Sequence, residues 1–301
     1  MALRLGVIGM SKGNGHPYSW SAIFNGYDEE SMKGCGFPAI SNYLAQQKWP
    51  QAKIRGACVT HIWTQSLKLS EHIATAALIR HVVSRPEEMI GAVDAVLLAR
   101  DDAERHLEFA TPFISAGLPI YIDKPVALSL TDFDYLFGLE KYPGQIFTCS
   151  ALRYSRELKL SSADRLQVGE LREIHAVTPK SWEKYAIHII EPVLAMLPCQ
   201  DKIVCLEQGA ALDKGGELSV VWQSGVVTRF CATGELALAP IAIRIIGDTG
   251  YKDLLFTDSF SAFKAALQDF IDGVELKLVN SSPDFNRKVV YLIEKGLRKL
   301  A

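Results

Sequence analysis

The stretch "GVIGMSKGNGHPYSW" (residues 6–20) continues a short apolar run and poses the first structural question. A strand that ends at a glycine and opens into G-x-G-x-x-G forms the phosphate turn of a dinucleotide fold. Here the glycines fall at Gly9, Gly13 and Gly15, which is G-x-x-x-G-x-G. Counted from Gly9, the second and third fingerprint positions hold Ser11 and Asn14. The loop by itself is a weak signal, and its meaning depends on the rest of the chain.

The chain from residue 3 to residue 154 has a rhythm. "LRLGVIGM" (3–10) reads as a strand buried on both faces. "AKIRGACVTHIW" (52–63), "AVDAVLLAR" (92–100), "GLPIYIDKP" (117–125) and "QIFTCSALRY" (145–154) read as further strands. Helical spacing fills the gaps at 37–49, 71–83, 102–117 and 130–144. This alternation predicts an α/β fold, a Rossmann-type doubly wound parallel sheet. Beyond about residue 155 strand-like runs succeed one another at 171–179, 202–209, 217–223, 226–234 and 240–248, with a hairpin expected at Gln223–Val226. Helices are expected over 183–197, 258–274 and 283–300. The second half therefore reads as an α+β domain on a largely antiparallel sheet. The expected division is 1–152 for dinucleotide binding and 153–301 for substrate binding and oligomerisation.

Composition narrows the function classes. Of 301 residues, 49% are hydrophobic and 22% charged, as in ordinary globular proteins. A net charge of −2 gives no reason to expect nucleic acid or a membrane surface as partner. The cysteines at 35, 58, 149, 199, 205 and 231 form no C-x-x-C pair and no metal-ligand spacing, so no metal is expected. No apolar run reaches membrane-spanning length, and the first strand leaves no room for a signal peptide. A cytoplasmic protein with reduced thiols is the expectation.

The run "VDAVLLARDDAERHLEFATPFISAGLPIYIDKPVALSLTDFDYLF" (93–137) resembles the corresponding region of the glucose–fructose oxidoreductase / inositol dehydrogenase / MocA family (Gfo/Idh/MocA). The family's E-K-P element corresponds to Asp123-Lys124-Pro125, and its Arg-Tyr pair to Arg153-Tyr154. Its D-x-x-x-H-x-x-D signature corresponds to Lys184, His188 and Glu191. The resemblance implies an NAD(P)-dependent dehydrogenase or reductase acting on CH–OH groups of a sugar, sugar-nucleotide or related polyol. It also implies a homodimer or homotetramer formed through the C-terminal sheet. A non-catalytic cofactor- or sugar-sensing protein, or a lyase or hydrolase retaining its nicotinamide, is the alternative on the same fold.

Residue chemistry supports these assignments. Lys124, at a strand end and followed by Pro125, is a pre-positioned cation suited to proton transfer, and the family match makes it the first catalytic candidate. Lys184, His188 and Glu191 stand at i, i+4 and i+7 of one helical face, and the match makes His188 the acid/base on the substrate oxygen. Pro192 is expected to kink this helix. Lys184, Tyr185, Arg153 and Glu191 are expected on the substrate side. Lys184 inverts the family's charge, suiting an anionic substrate, unless it points to solvent and Glu183 has taken the role. Cofactor contacts are expected from Gly9, Met10, Gly13, Asn14, Gly15 and His16. Gly9 would make the tight turn, while Gly13 and Gly15 would admit a pyrophosphate. Ala99, Arg100, Asp101, His106 and Asp123 would join them, with Asp102 capping the next helix. Strand two ends near Thr60-His61 with no acid before Glu71, so NAD and NADP both stay open.

Overall fold

A computed structural model describes residues 2–209, 214–235 and 240–297. The first half contains β1 (Leu3–Ile8), α1 (His16–Asn25), α2 (Glu29–Lys33), α3 (Pro38–Ala45), β2 (Ala57–Trp63) and α4 (Leu67–Ala76). It continues with β3 (His81–Val82), β4 (Ala95–Leu98), α5 (His106–Ser115), β5 (Ile120–Ile122), α6 (Leu130–Phe137) and β6 (Ile146–Phe147). These strands form one sheet in the order β3-β2-β1-β4-β5-β6, and every pairing is parallel. That order reverses direction between β1 and β4. The loops after those two strands therefore flank the crevice where doubly wound sheets take ligands.

The second half contains α7 (Ser162–Val168), β7 (Leu171–Thr178), α8 (Trp182–Tyr185), α9 (Ile187–Leu194), β8 (Ile203–Gln208) and β9 (Gly216–Trp222). Then come β10 (Val227–Ala232), β11 (Ala242–Gly247), β12 (Tyr251–Leu255), α10 (Ser259–Leu276) and α11 (Pro283–Gly296). Its sheet runs β12-β11-β7-β10-β9-β8 and is antiparallel except where β10 meets β7. The expected hairpin joins β9 to β10, with Gly225 at φ +86° and its N–H donating to the Trp222 carbonyl.

Several elements differ from the sequence reading. The helix expected over 71–83 ends at Ala76; Leu78 takes φ +55°, and His81–Val82 adds β3 beside β2. "HPYSW", read as bulk on the loop rim, begins α1, with Pro17 in the first turn where its missing N–H costs nothing. A capping box, Ser161 with Asp164, starts α7, and Tyr251–Leu255 forms a strand where none was expected. The segment expected as one helix over 183–197 divides at Ala186 into α8 and α9. Pro192 lies inside α9, which runs through it to Leu194. The end of the helix expected over 283–300 lies outside the described residues.

The chain divides into two compact units, and the division is not one cut. Unit 1 comprises residues 1–127, 131–149 and 263–286; unit 2 comprises 128–130, 150–262 and 287–301. The crossing at Cys149/Ser150 lies near the expected 152/153 boundary, but Phe263–Asn286, expected in the second domain, clusters with the first. The reason is aromatic packing: Phe270, 2% exposed, lies 5.7 Å from the Tyr121 ring of β5 and 5.6 Å from Phe147 of β6.

Candidate functional site

In unit 1 the opening loop is held by side chains. The Ser11 hydroxyl donates to Asp101 Oδ1 at 2.5 Å and accepts the Asp101 N–H at 3.1 Å. Asn14 donates its amide to Asp123 Oδ2 at 2.8 Å, and His16 Nδ1 reaches the same oxygen at 2.5 Å. Asp123 Oδ1 accepts the Lys124 N–H at 2.8 Å. The Lys124 ammonium lies 3.8 Å from Asp101 Oδ2. Asp101, Asp123 and Lys124 are all buried. A buried carboxylate costs several kcal/mol unless donors or opposite charge surround it; Asp101 finds both, and Asp123 finds three hydrogen-bond partners. One connected network thus joins the loop after β1 to the ends of β4 and β5, and Lys124 is part of it.

The three glycines have separate reasons. A Cβ on Gly9 would sit 2.4 Å from Pro17 Cγ, so α1 can approach β1 only over a glycine. A Cβ on Gly15 would meet Ile40 and Phe37 at 2.5 and 2.8 Å, so that space is taken by packing rather than open to a pyrophosphate. Gly13 alone combines φ +82° with nothing within 4 Å. The first turn of α1 is also largely spent: Asn14 Oδ1 accepts the His16 N–H, Pro17 has none, and the Tyr18 and Ser19 N–H groups donate to the Gly15 carbonyl. Accessible backbone and positive charge, from the Lys12 ammonium, meet instead at the exposed Lys12–Gly13 rim.

The neighbouring loops complete this side. Register pairs Ile8 with Trp63, so β2 extends past Thr60-His61, and the residues at its carboxyl end are Thr64 and Gln65. Gln65 clamps Met10, accepting its N–H at 3.1 Å and donating to its carbonyl at 2.8 Å. Ala99 is buried and donates its N–H to the Ile8 carbonyl. Arg100 pairs with Asp102 at 3.0 and 2.5 Å and covers the Phe109 ring at 4.6 Å. Asp102 thus holds Arg100 and makes no side-chain cap to the next helix. His106 is buried, with Nδ1 3.0 Å from the Val126 carbonyl and Nε2 2.7 Å from the Arg100 carbonyl. Its ring spans two loops and positions them.

In unit 2, His188 is buried on α9, and its Nδ1 lies 2.8 Å from the Ser150 hydroxyl. Ser150 itself caps the 3₁₀ turn Ala151–Tyr154 that carries Arg153. The Tyr185 ring stands edge-on to His188 at 5.2 Å, and the Lys180 ammonium lies 4.4 Å from the centre of the same tyrosine ring. Lys184 is half-buried and Glu183 exposed; Ala186 keeps helical dihedrals, so Lys184 remains on the helical path leading to His188. Glu191 is 1% exposed, with Oε2 3.6 Å from Arg153 Nε. Burial pushes its carboxyl up to about 7, against the opposing pull of Arg153 and the Ser150 backbone.

Sequence reasoning missed Ser11, Lys12, Gln65 and Ser150. Ser11 was visible only as a failed glycine position; its partner lies 90 residues away. Among the described residues no group of three or more His, Cys, Asp and Glu is placed to hold a metal ion.

The raised Glu191 carboxyl gives a pH prediction. Between the ordinary carboxylate range and about 7 the folded chain holds a proton that the unfolded chain has released. Stability is then fully present below about pH 4.5 and falls as pH rises to about 7, by about 3 kcal/mol from this group. Urea denaturation across that range is expected to show the fall in the native chain and a flatter profile in Glu191→Gln; identical profiles would contradict the assignment.

Residues 32–150 match the model of the oxidoreductase family with an NAD-binding Rossmann fold. No curated protein matches the chain. Among solved structures, myo-inositol dehydrogenase from Lactobacillus casei, in complex with NAD(H) and myo-inositol, superposes with a TM-score of 0.73 at 14% identity, over 98% of this chain and 94% of that one. UDP-N-acetylglucosamine 3-dehydrogenase from Acidithiobacillus ferrooxidans gives 0.69 at 14%, over 98% and 96%. Biliverdin reductase from Synechocystis, in complex with biliverdin and NADP+, gives 0.70 at 11%, over 97% of each chain. At these identities the likeness is one of fold. Residues 32–150, which hold β2 to β6 and the D-K-P lysine, are thus similar to the NAD-binding Rossmann fold of the Gfo/Idh/MocA oxidoreductase family.

Proposed function

We propose that the protein is an NAD(P)-dependent oxidoreductase acting on a carbinol or keto carbon of a sugar, sugar-nucleotide or related polyol. The observation that carries this reading is Lys124. It is a buried cation just beyond β5, tied by Asp101 to the loop after β4 at the switch point of the parallel sheet. The accessible backbone at Gly13 and the Lys12 ammonium would hold the dinucleotide's phosphates. Bound nicotinamide supplies a hydride donor or acceptor. The end of β2 offers neither the acid that selects NAD nor an unengaged arginine that selects NADP, since Gln65 clamps Met10 and Arg100 is tied to Asp102.

The chain's own residues divide the remaining work. Lys124, oriented by Asp101, polarises the substrate oxygen. His188, whose ring direction is fixed by Ser150, is the acid/base that unit 2 supplies. Arg153, Tyr185 and Lys184 bind the substrate's polar groups, and buried Glu191 holds Arg153 in place. All six cysteines are unpaired thiols, which supports the cytoplasm as compartment. Among the described residues no helix is long and apolar enough to cross a membrane.

We also propose self-association through the unit 2 sheet. Its outer edge presents Tyr251 and Leu255 to solvent, 61% and 50% exposed, around the Arg244–Asp253 pair. Light scattering is expected to give a dimer or tetramer; a monomer at micromolar concentration would remove this part of the reading.

Turnover assays on a panel of polyols with NAD(P)+ test the activity. Lys124→Ala and His188→Ala are each expected to lose about 10²–10⁴-fold in kcat, with His188→Ala binding cofactor as the native chain does. Unchanged kcat in both variants would refute the roles. Cofactor binding without turnover on any substrate would favour the sensing alternative.

A further inference from the structure

Unit 2 contains a cavity of about 380 Å³ whose polar lining is almost wholly cationic. Arg153, Lys159 and Arg165 line it together with Tyr154, and no acidic residue does. The acids close by in sequence are engaged elsewhere. Asp164 pairs with Lys252 at 2.6 Å and takes the Ser161 hydroxyl at 2.6 Å. Glu157 accepts the N–H groups of Thr257 and Asp258 at 2.7 and 3.0 Å. Glu191, which does not line the cavity, faces Arg153 and the Ser150 backbone. Among the described residues Lys159 and Arg165 make no ion pair, so two positive charges face this space without compensation. The remaining wall is apolar, including Leu158, Leu160 and Met196.

Uncompensated lysine and arginine charges in a concave site are best satisfied by phosphate oxygens, which a guanidinium fork and an ammonium can share. The apolar wall beside them would accept the organic body of the same ligand. Arg153 belongs both to this cavity and to the ion pair with Glu191, which links the cavity to the α9 residues. We propose that this cavity is a phosphate subsite, and that the substrate of the activity proposed above is a phosphate ester of a sugar or polyol, free or nucleotide-linked. The inference rests on that reading for the word substrate; the subsite itself does not.

Isothermal titration of the full chain with glucose 6-phosphate, with UDP-glucose and with uncharged glucose tests it. Lys159→Gln/Arg165→Gln is the matching variant; both positions are exposed, so the fold is expected to survive, and circular dichroism checks this. At least one phosphate ester is expected to bind with Kd below about 1 mM, glucose not to bind, and the double variant to weaken binding about tenfold or more. Whichever ester binds tighter identifies the free or the nucleotide-linked form. Absence of binding by both esters up to about 10 mM, or equal binding by the variant, would overturn the subsite. NADH titration of native and variant chains separates the two claims. Ester binding that is lost in the variant supports the subsite even if NADH fails to bind, an outcome that would instead count against the redox reading.

Discussion

Two buried carboxylates organise the cofactor half of this protein. Asp101 and Asp123 lie just past neighbouring strands of the parallel sheet, and each reaches back to the loop after β1. Burial takes both away from water, so each needs donors from the protein. Asp101 is offset by the Ser11 hydroxyl and the Lys124 ammonium, Asp123 by Asn14, His16 and the Lys124 N–H. Removing any one donor would leave a buried acceptor short of a partner, at a cost of about 1–3 kcal/mol. The same bonds that stabilise the carboxylates therefore set the loop's shape and the direction of Lys124.

This arrangement explains the irregular glycine pattern. In the G-x-G-x-x-G turn, glycines bring the backbone to the pyrophosphate and the helix to the strand. Here glycine still permits the helix's approach, at Gly9 against Pro17 and at Gly15 against Phe37 and Ile40. The two fingerprint positions that lost glycine carry Ser11 and Asn14, whose side chains fasten the loop instead. Backbone access is left to Gly13. The first turn of α1, saturated by Asn14 and the Gly15 carbonyl, contributes few free donors, so the accessible backbone lies at the loop crest and not at the helix end.

Much of this was legible in the sequence because it is local. Strand and helix alternation announced the parallel sheet, and D-K-P at a strand end marked Lys124. The i, i+4, i+7 spacing placed His188 and Glu191 on α9. The features that stayed hidden depended on distance or on competition between elements. Ser11 and Asp101, or Asn14 and Asp123, meet only when the sheet assembles, and no spacing rule joins them. His81–Val82 continues a helical pattern in sequence, yet a left-handed Leu78 ends α4 and frees the pair to extend the sheet. Phe263–Asn286 comes after unit 2 in the chain but joins unit 1 because Phe270 finds its aromatic partners there.

The central claim is that a loop fastened by carboxylates, with Gly13 at its open crest, binds a nicotinamide dinucleotide. Calorimetric titration of the native chain and of Gly13→Val with NADH and NADPH tests it most directly. The account predicts micromolar binding of at least one nucleotide, about −8 kcal/mol, to the native chain. It also predicts a loss of about tenfold or more in the variant, whose side chain occupies the open face and strains a φ of +82°. No heat with either nucleotide up to millimolar concentration, or equal binding by Gly13→Val, would contradict it.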